Sequence, residues 1–186
     1  MDTYPDLKTL HILHYPSPLL RNHAQPISEV NTFLDEMSAR MKELMVEGRG
    51  VGLAATQVGW PFRMLLLNTT AEPDSVQAFI NPVIVKRQGR IIQEEGCLSV
   101  PGIWAKVRRA EIVRVRATLL TGEDVEINAE GFVARTWQHE IDHLDGSLFV
   151  DRVGPAAKIL IAGKLRDLES VYKEVAGSND SSDEEK

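Results

Sequence analysis

Two histidines stand four positions apart in Gln138-His139-Glu140-Ile141-Asp142-His143, with a glutamate directly after the first. On a helix, four residues separate side chains by only about 40° of rotation, so both imidazoles reach outward over one turn and can share one metal ion. Glu140 lies one step round from His139, near enough to touch water at a metal without becoming a ligand, which is where a general base must stand. The chemistry these residues suit is metal-assisted hydrolysis. The bland alternative is a pair of histidines that caps a helix or fills a polar core.

A catalytic metal takes three protein ligands and keeps one position open. Downstream, Asp151 and Glu169 could supply the third. Upstream, Cys97 lies in Glu95-Gly96-Cys97-Leu98-Ser99, where Gly96 lets the backbone come close to a site, and a thiolate with two imidazoles makes a plausible set. A third segment, Gly50-Val51-Gly52-Leu53-Ala54-Ala55-Thr56-Gln57, permits tight backbone approach and ends in an amide that can donate a hydrogen bond. Its Gly-x-Gly lacks a clear preceding strand, a third glycine at the needed spacing and a lysine, so it is a poor phosphate loop.

Elements must bring these segments together. After Pro16, Pro18 and Pro26, the stretch Ser28 to Glu47 sets Leu34, Met37, Met41, Leu44 and Met45 at helical spacing, a helix with one buried face. Met64 to Leu67 and Phe79 to Val85 are short apolar runs that read as strands. Pro82 suits the second to an edge or a strand start. Ile112 to Leu120 and Val125 to Asn128, joined through Thr121-Gly122-Glu123-Asp124, read as a hairpin. The metal helix begins near Gly131. A last helix over about Ala156 to Val175 carries Ile161, Leu165, Leu168, Tyr172 and Val175 on one stripe, packed on the body of the chain. Strands that precede the metal helix rather than alternate with helices give an α+β class: antiparallel strands around a central metal-binding helix, with a C-terminal helix.

With 186 residues and 43% of them apolar, the chain fits one globular domain over residues 1–176. The run 177–186 has no sizeable apolar residue to bury and is mostly acidic, so it reads as a disordered tail. A net charge of -6, with no basic stripe, argues against nucleic-acid binding. One cysteine excludes an intramolecular disulfide. Met1 to Leu13 has no uninterrupted apolar run and resembles neither a secretory signal nor a membrane span.

In their order, Gly50 to Gln57, Glu95 to Ser99 and Gln138 to His143 resemble the three signature motifs of the peptide deformylases. The likeness extends to Ile12-Leu13-His14-Tyr15-Pro16 and Asp145-Gly146, and so covers roughly residues 10–170. It implies removal of the formyl group from N-formylmethionyl nascent chains, with release of formate. It implies Cys97, His139 and His143 as ligands of one divalent metal ion, with Fe(II) the working metal and Zn, Ni or Co able to replace it. Glu140 becomes the acid/base residue, and Gln57 with the Leu98 backbone N–H the oxyanion donors. Val51 and Gly52 would offer backbone hydrogen bonds to an extended substrate, and Gly96 and Trp104 further contacts. Glu95 would pair with Arg109 to hold the Cys97 loop, and Asp142 is either support for the site or a solvated helix residue. Many relatives carry Arg or Tyr where Trp104 stands, which concerns preference beyond the first substrate residue. The spacing of the first two motifs leaves no room for the insertion of one branch, so the chain looks like the shorter bacterial and organellar type. The expectation is a monomer acting near the ribosome exit, in a cytoplasm or, with a transit peptide removed, an organelle matrix or stroma.

Two rivals remain from the residues alone. A zinc endopeptidase shares His-Glu-x-x-His and calls for a downstream ligand. A catalytically dead binding module needs neither Glu140 nor Gln57.

Overall fold

The computed structural model describes residues 4–68, 70 and 75–180, the side chains of 175–180 excepted. Helix α1 (Thr32–Glu47) starts four residues later than its periodicity suggests, because Asn31 caps it by accepting from the Phe33 N–H. Leu34, Met37, Met41, Leu44 and Met45 are all buried, as their spacing predicts. Strands β1 (Gly52–Ala54), β2 (Met64–Asn68) and β3 (Val76–Gln88) follow, then a hairpin of β4 (Ile91–Cys97) and β5 (Val100–Arg109). The expected hairpin is β6 (Ile112–Thr118) with β7 (Asp124–Glu130), and the helix expected to begin near Gly131 is α2 (Gly131–Leu144). A short α3 (Phe149–Arg152) leads into α4 (Pro155–Asp180). Residues 177–180, expected in the tail, continue the α4 backbone, and residues 181–186, the rest of that tail, lie outside the described residues.

Strands β1-β2-β3-β6-β7 form one antiparallel sheet, and β4-β5 a separate pair. Strand β2 explains how the sheet divides the interior. Successive side chains on a strand point to opposite faces, so Met64 and Leu66 join Met37, Met41 and Met45 of α1, while Leu65 and Leu67 join Trp137, Ile141 and Leu144 of α2. The sheet is thus covered by α1 on one face and α2 on the other. Phe79 and Trp137 lie 4.6 Å apart between ring centroids, at the centre of the second layer.

Pro82 proved misleading. Strand β3 is central, paired with β2 on one side and β6 on the other. Its register slips between Ile80 and Val83, so Asn81 and Pro82 stand outside the ladder and the missing proline donor costs no strand bond. The β4-β5 hairpin was not anticipated, although β5 alternates: Ile103, Ala105, Val107 and Arg109 point in, and Trp104, Lys106 and Arg108 out. A charged residue at an inward position hid the pattern. This hairpin packs with Leu148, Phe149 and Ile161 in a third cluster, onto which Leu165 and Leu168 of α4 also close.

Candidate metal centre

Helix α2 is buried along almost its whole C-terminal half, yet that half is largely polar. Gln138, His139, Glu140, Asp142 and His143 are all buried. Burying such groups is costly unless each finds a partner, and their partners define the site. Gln138 donates to the Ala110 and Ala134 carbonyls and accepts from the Ala110 N–H, fixing α2 to the end of β5.

The two histidines face the tip of the β4-β5 hairpin, where Cys97 pairs with Val100 around a turn at Leu98 and Ser99. Cys97 Sγ is 3.2 Å from His143 Nε2, which is 3.3 Å from His139 Nε2. The three donor atoms lie within 4.8 Å of one another. The other ring nitrogen of His139 is 2.9 Å from Glu95 Oε2, and Glu95 accepts from Arg109 at 2.8 and 3.0 Å. The pairing of Glu95 with Arg109 is therefore present, and it is buried rather than superficial. Asp142 supports the same centre: it accepts from Arg109 and from Arg152.

Electrostatics favour a cation here. Burial works against charge on Glu95, but the hydrogen bonds from Arg109 and His139 outweigh it and hold its carboxyl at about 2. Burial also opposes charge on His139, yet Cys97, Glu95 and Glu140 around it raise its basicity well above the ordinary value. Glu140 is pushed up to about 7, mainly by burial, and its Oε2 is buried without a hydrogen-bond partner among the described residues. One thiol and two imidazoles converging beside an orphaned carboxylate oxygen fit a divalent transition-metal ion.

The glycines set the spacing. A Cβ on Gly52 would meet Glu140 Oε1 at 2.5 Å, and one on Gly96 would meet the Trp104 ring at 2.9 Å. Gln57 accepts from the Ala54 N–H at 2.8 Å, which turns its amide nitrogen toward Ser99 Oγ at 3.1 Å and Cys97 Sγ at 3.5 Å. Val51, Gly52, Gln57, Gly96, Cys97, Leu98, Trp104, His139 and Glu140 line one cavity of about 530 Å³. Trp104 stays 64% exposed at its rim.

Asp151 and Glu169 are engaged elsewhere. Asp151 accepts from Arg21 and from the Leu148 N–H, and Glu169 from the Tyr15 hydroxyl at 2.6 Å. The cavity has further walls that sequence reasoning missed: Arg49, Pro101, Phe132, Arg135 and Thr136. The last three were accessible in principle, since positions 132, 135 and 136 precede His139 by seven, four and three residues on one helix and so share its face. Arg135 lies over the Phe132 ring and donates to the Glu94 carbonyl at 2.9 Å.

Residues 9–158 match the family model for polypeptide deformylase. A peptide deformylase of Rhodopirellula baltica is 40% identical over 177 residues, 94% of this chain and 88% of that protein. One of Chromobacterium violaceum is 43% identical over 160 residues, 86% of this chain and 96% of its own. Among solved structures, a plant peptide deformylase superposes with a TM-score of 0.90 at 35% identity, over 95% of this chain and 97% of that one.

Proposed function

The chain belongs to the polypeptide deformylase family, metal-dependent hydrolases that remove the N-formyl group from the terminal methionine of new polypeptides, and we propose that Cys97, His139 and His143 hold its metal ion. The convergence of their three donor atoms within 4.8 Å, beside a buried Glu140, is the observation that carries this reading. The chemistry such an ion supplies when bound is Lewis-acid activation of water and polarisation of a carbonyl. Fe(II) is the proposed working metal, and Zn, Ni and Co suit the same donors.

Glu140 takes the proton of the attacking water and returns it to the nitrogen of the leaving amine. Burial raises the basicity of its carboxyl, which suits it to take up a proton and give it back. Charge that grows on the formyl oxygen meets the Gln57 amide and the Leu98 backbone N–H. Because the Gln57 carbonyl oxygen is tied to the Ala54 N–H, its NH₂ end is held ready and needs no reorientation. Strand β1 is the edge of the five-stranded sheet, so Gly52 and its neighbour Val51 can pair with an extended peptide. Gly96 and Trp104 flank the opposite wall, where the exposed indole meets residues beyond the formylmethionine.

Among the described residues no helix is long and apolar enough to cross a membrane. We place the enzyme in a cytoplasm or an organelle matrix, as a monomer near the ribosome exit, with residues 1–176 as its catalytic domain. Release of formate from formyl-Met-Ala-Ser by anaerobically prepared protein, with metal content measured on the same sample, tests the reading. Stoichiometric metal without formate release overturns it.

A further inference from the structure

We propose that Arg152, outside the catalytic cavity, is a positioning residue for His139, acting through Asp142, Arg109 and Glu95. The inference rests on His139 being a metal ligand. The contacts form an unbroken chain. Arg152 donates to Asp142 through Nη2 at 2.6 Å and Nε at 3.1 Å. Arg109 donates to the same carboxylate through Nη1 at 2.5 Å, and through Nε and Nη2 to Glu95. Glu95 in turn accepts from His139 Nδ1.

Arg109 therefore divides one rigid fork between two carboxylates. Glu95, Asp142 and Arg109 are all buried, and two buried carboxylates on a single guanidinium leave a negative charge uncompensated, which is expensive away from water. Arg152 brings the set to two cations and two anions. Without it, Asp142 loses two of its three contacts and competes for Arg109. The planar guanidinium cannot turn more donors to Asp142 without withdrawing some from Glu95. Glu95 then no longer fixes the His139 ring, whose Nδ1–H bond sets the direction of Nε2 toward Cys97 and His143.

The fold delivers Arg152 to this place deliberately. Four residues separate α2 from α3, whose first turn is closed by Asp151 accepting from the Leu148 N–H at 2.8 Å. Immediately after Arg152, Val153 bridges to Val107 of β5, two positions before Arg109. The two arginines thus approach Asp142 from segments held in mutual register. The Arg152 side chain is 49% exposed, so replacing it opens no cavity in the core.

The test uses full-length protein loaded with Co(II), read by its visible ligand-field bands and by the half-time of metal release to a chelator, with melting curves alongside. Arg152→Gln should shift the bands and release Co(II) about tenfold faster. Arg152→Lys, which keeps the charge, should stay within about threefold of the unaltered chain. The decisive variant is Arg152→Gln combined with Asp142→Asn, which removes the competing carboxylate and should bring bands and half-time back to within about threefold. If Arg152 merely ties α3 to α2, the double variant releases metal as fast as the single one or faster, and the inference is overturned. Unchanged bands and half-time in Arg152→Gln overturn it equally. Should Arg152→Gln alone not fold, the double variant still decides by the same threefold and tenfold limits. A chain that takes up no stoichiometric Co(II) sinks the metal-site reading together with this one, whereas a chain that binds Co(II) but ignores Arg152 sinks only the inference.

Discussion

Gly52 and Glu140 are in direct opposition: the α-carbon of the edge strand leaves room for the carboxylate and for nothing more, since a Cβ would stand 2.5 Å from Glu140 Oε1 and 2.8 Å from its Cγ. Gly52 has no positive φ to relieve, so its role is purely one of space. Gly52→Ala should displace Glu140 by part of an ångström to an ångström. Such a misplacement costs on the order of 100-fold in kcat, while overpacking costs about 1–3 kcal/mol of stability. Steady-state kinetics per bound metal and a melting curve check both. A kcat within about threefold of the unaltered enzyme would show that the carboxylate tolerates the methyl.

Glu140→Gln keeps the shape of the side chain but removes its ability to take a proton. Turnover should be abolished, with fold and metal content retained. Formate release from a metal-replete sample is the measurement, and near-normal turnover removes Glu140 from the mechanism.

Cys97 is the only thiol in the chain, so its ligation has a clean spectroscopic signature. Cobalt-substituted protein should show a thiolate-to-metal charge-transfer band in the near ultraviolet that disappears in Cys97→Ala. An unchanged spectrum in that variant would make Cys97 a structural residue of the hairpin tip.

The residues that meet at the centre were readable because each type is chemically conspicuous. Two histidines and a glutamate on helical spacing announce themselves, and a lone cysteine directly after Glu95-Gly96 is hard to overlook. What the sequence concealed was the frame around them. The β4-β5 hairpin that carries Cys97 puts Arg109 at an inward position, and a buried guanidinium breaks an apolar alternation although Glu95 and Asp142 satisfy it fully. Asp142 looked ambiguous for the same reason, since neither arginine that neutralises it is a sequence neighbour. Pro82 suggested an edge because local chemistry cannot reveal a register slip, which exists only in the pairing of β3 with β6.

Gln57 has two tasks, and the structure separates them. Its carbonyl oxygen satisfies the buried Ala54 N–H, and its NH₂ faces the site. Gln57→Glu keeps an acceptor for the Ala54 N–H and replaces the NH₂ donor by a carboxylate oxygen, so kcat per bound metal in the folded fraction should fall about 100- to 1,000-fold, the usual loss for an oxyanion donor. Substrate binding should change much less. If kcat per bound metal stays within about threefold, Gln57 only buttresses its loop.

Asn81 offers a test of the fold away from the chemistry. It sits at φ 50°, outside the strand ladder, and its side chain holds the chain at Ile27 by accepting from the Ile27 N–H and donating to the Ile27 carbonyl, each at 2.8 Å. Removing both bonds costs about 2 kcal/mol at roughly 1 kcal/mol each. Alanine must in addition hold a left-handed backbone that Asn and Gly tolerate better, at about 1 kcal/mol more. Asn81→Ala should therefore lose about 3 kcal/mol and Asn81→Gly less, since its lost bonds are partly offset by relief of strain and partly compounded by the greater freedom of an unfolded glycine. Denaturant unfolding of the two variants and the unaltered chain gives the comparison. If Gly proves no more stable than Ala, the relief of strain at position 81 is no larger than the added freedom of the unfolded glycine, and the two bonds to Ile27 are the larger part of what the asparagine supplies.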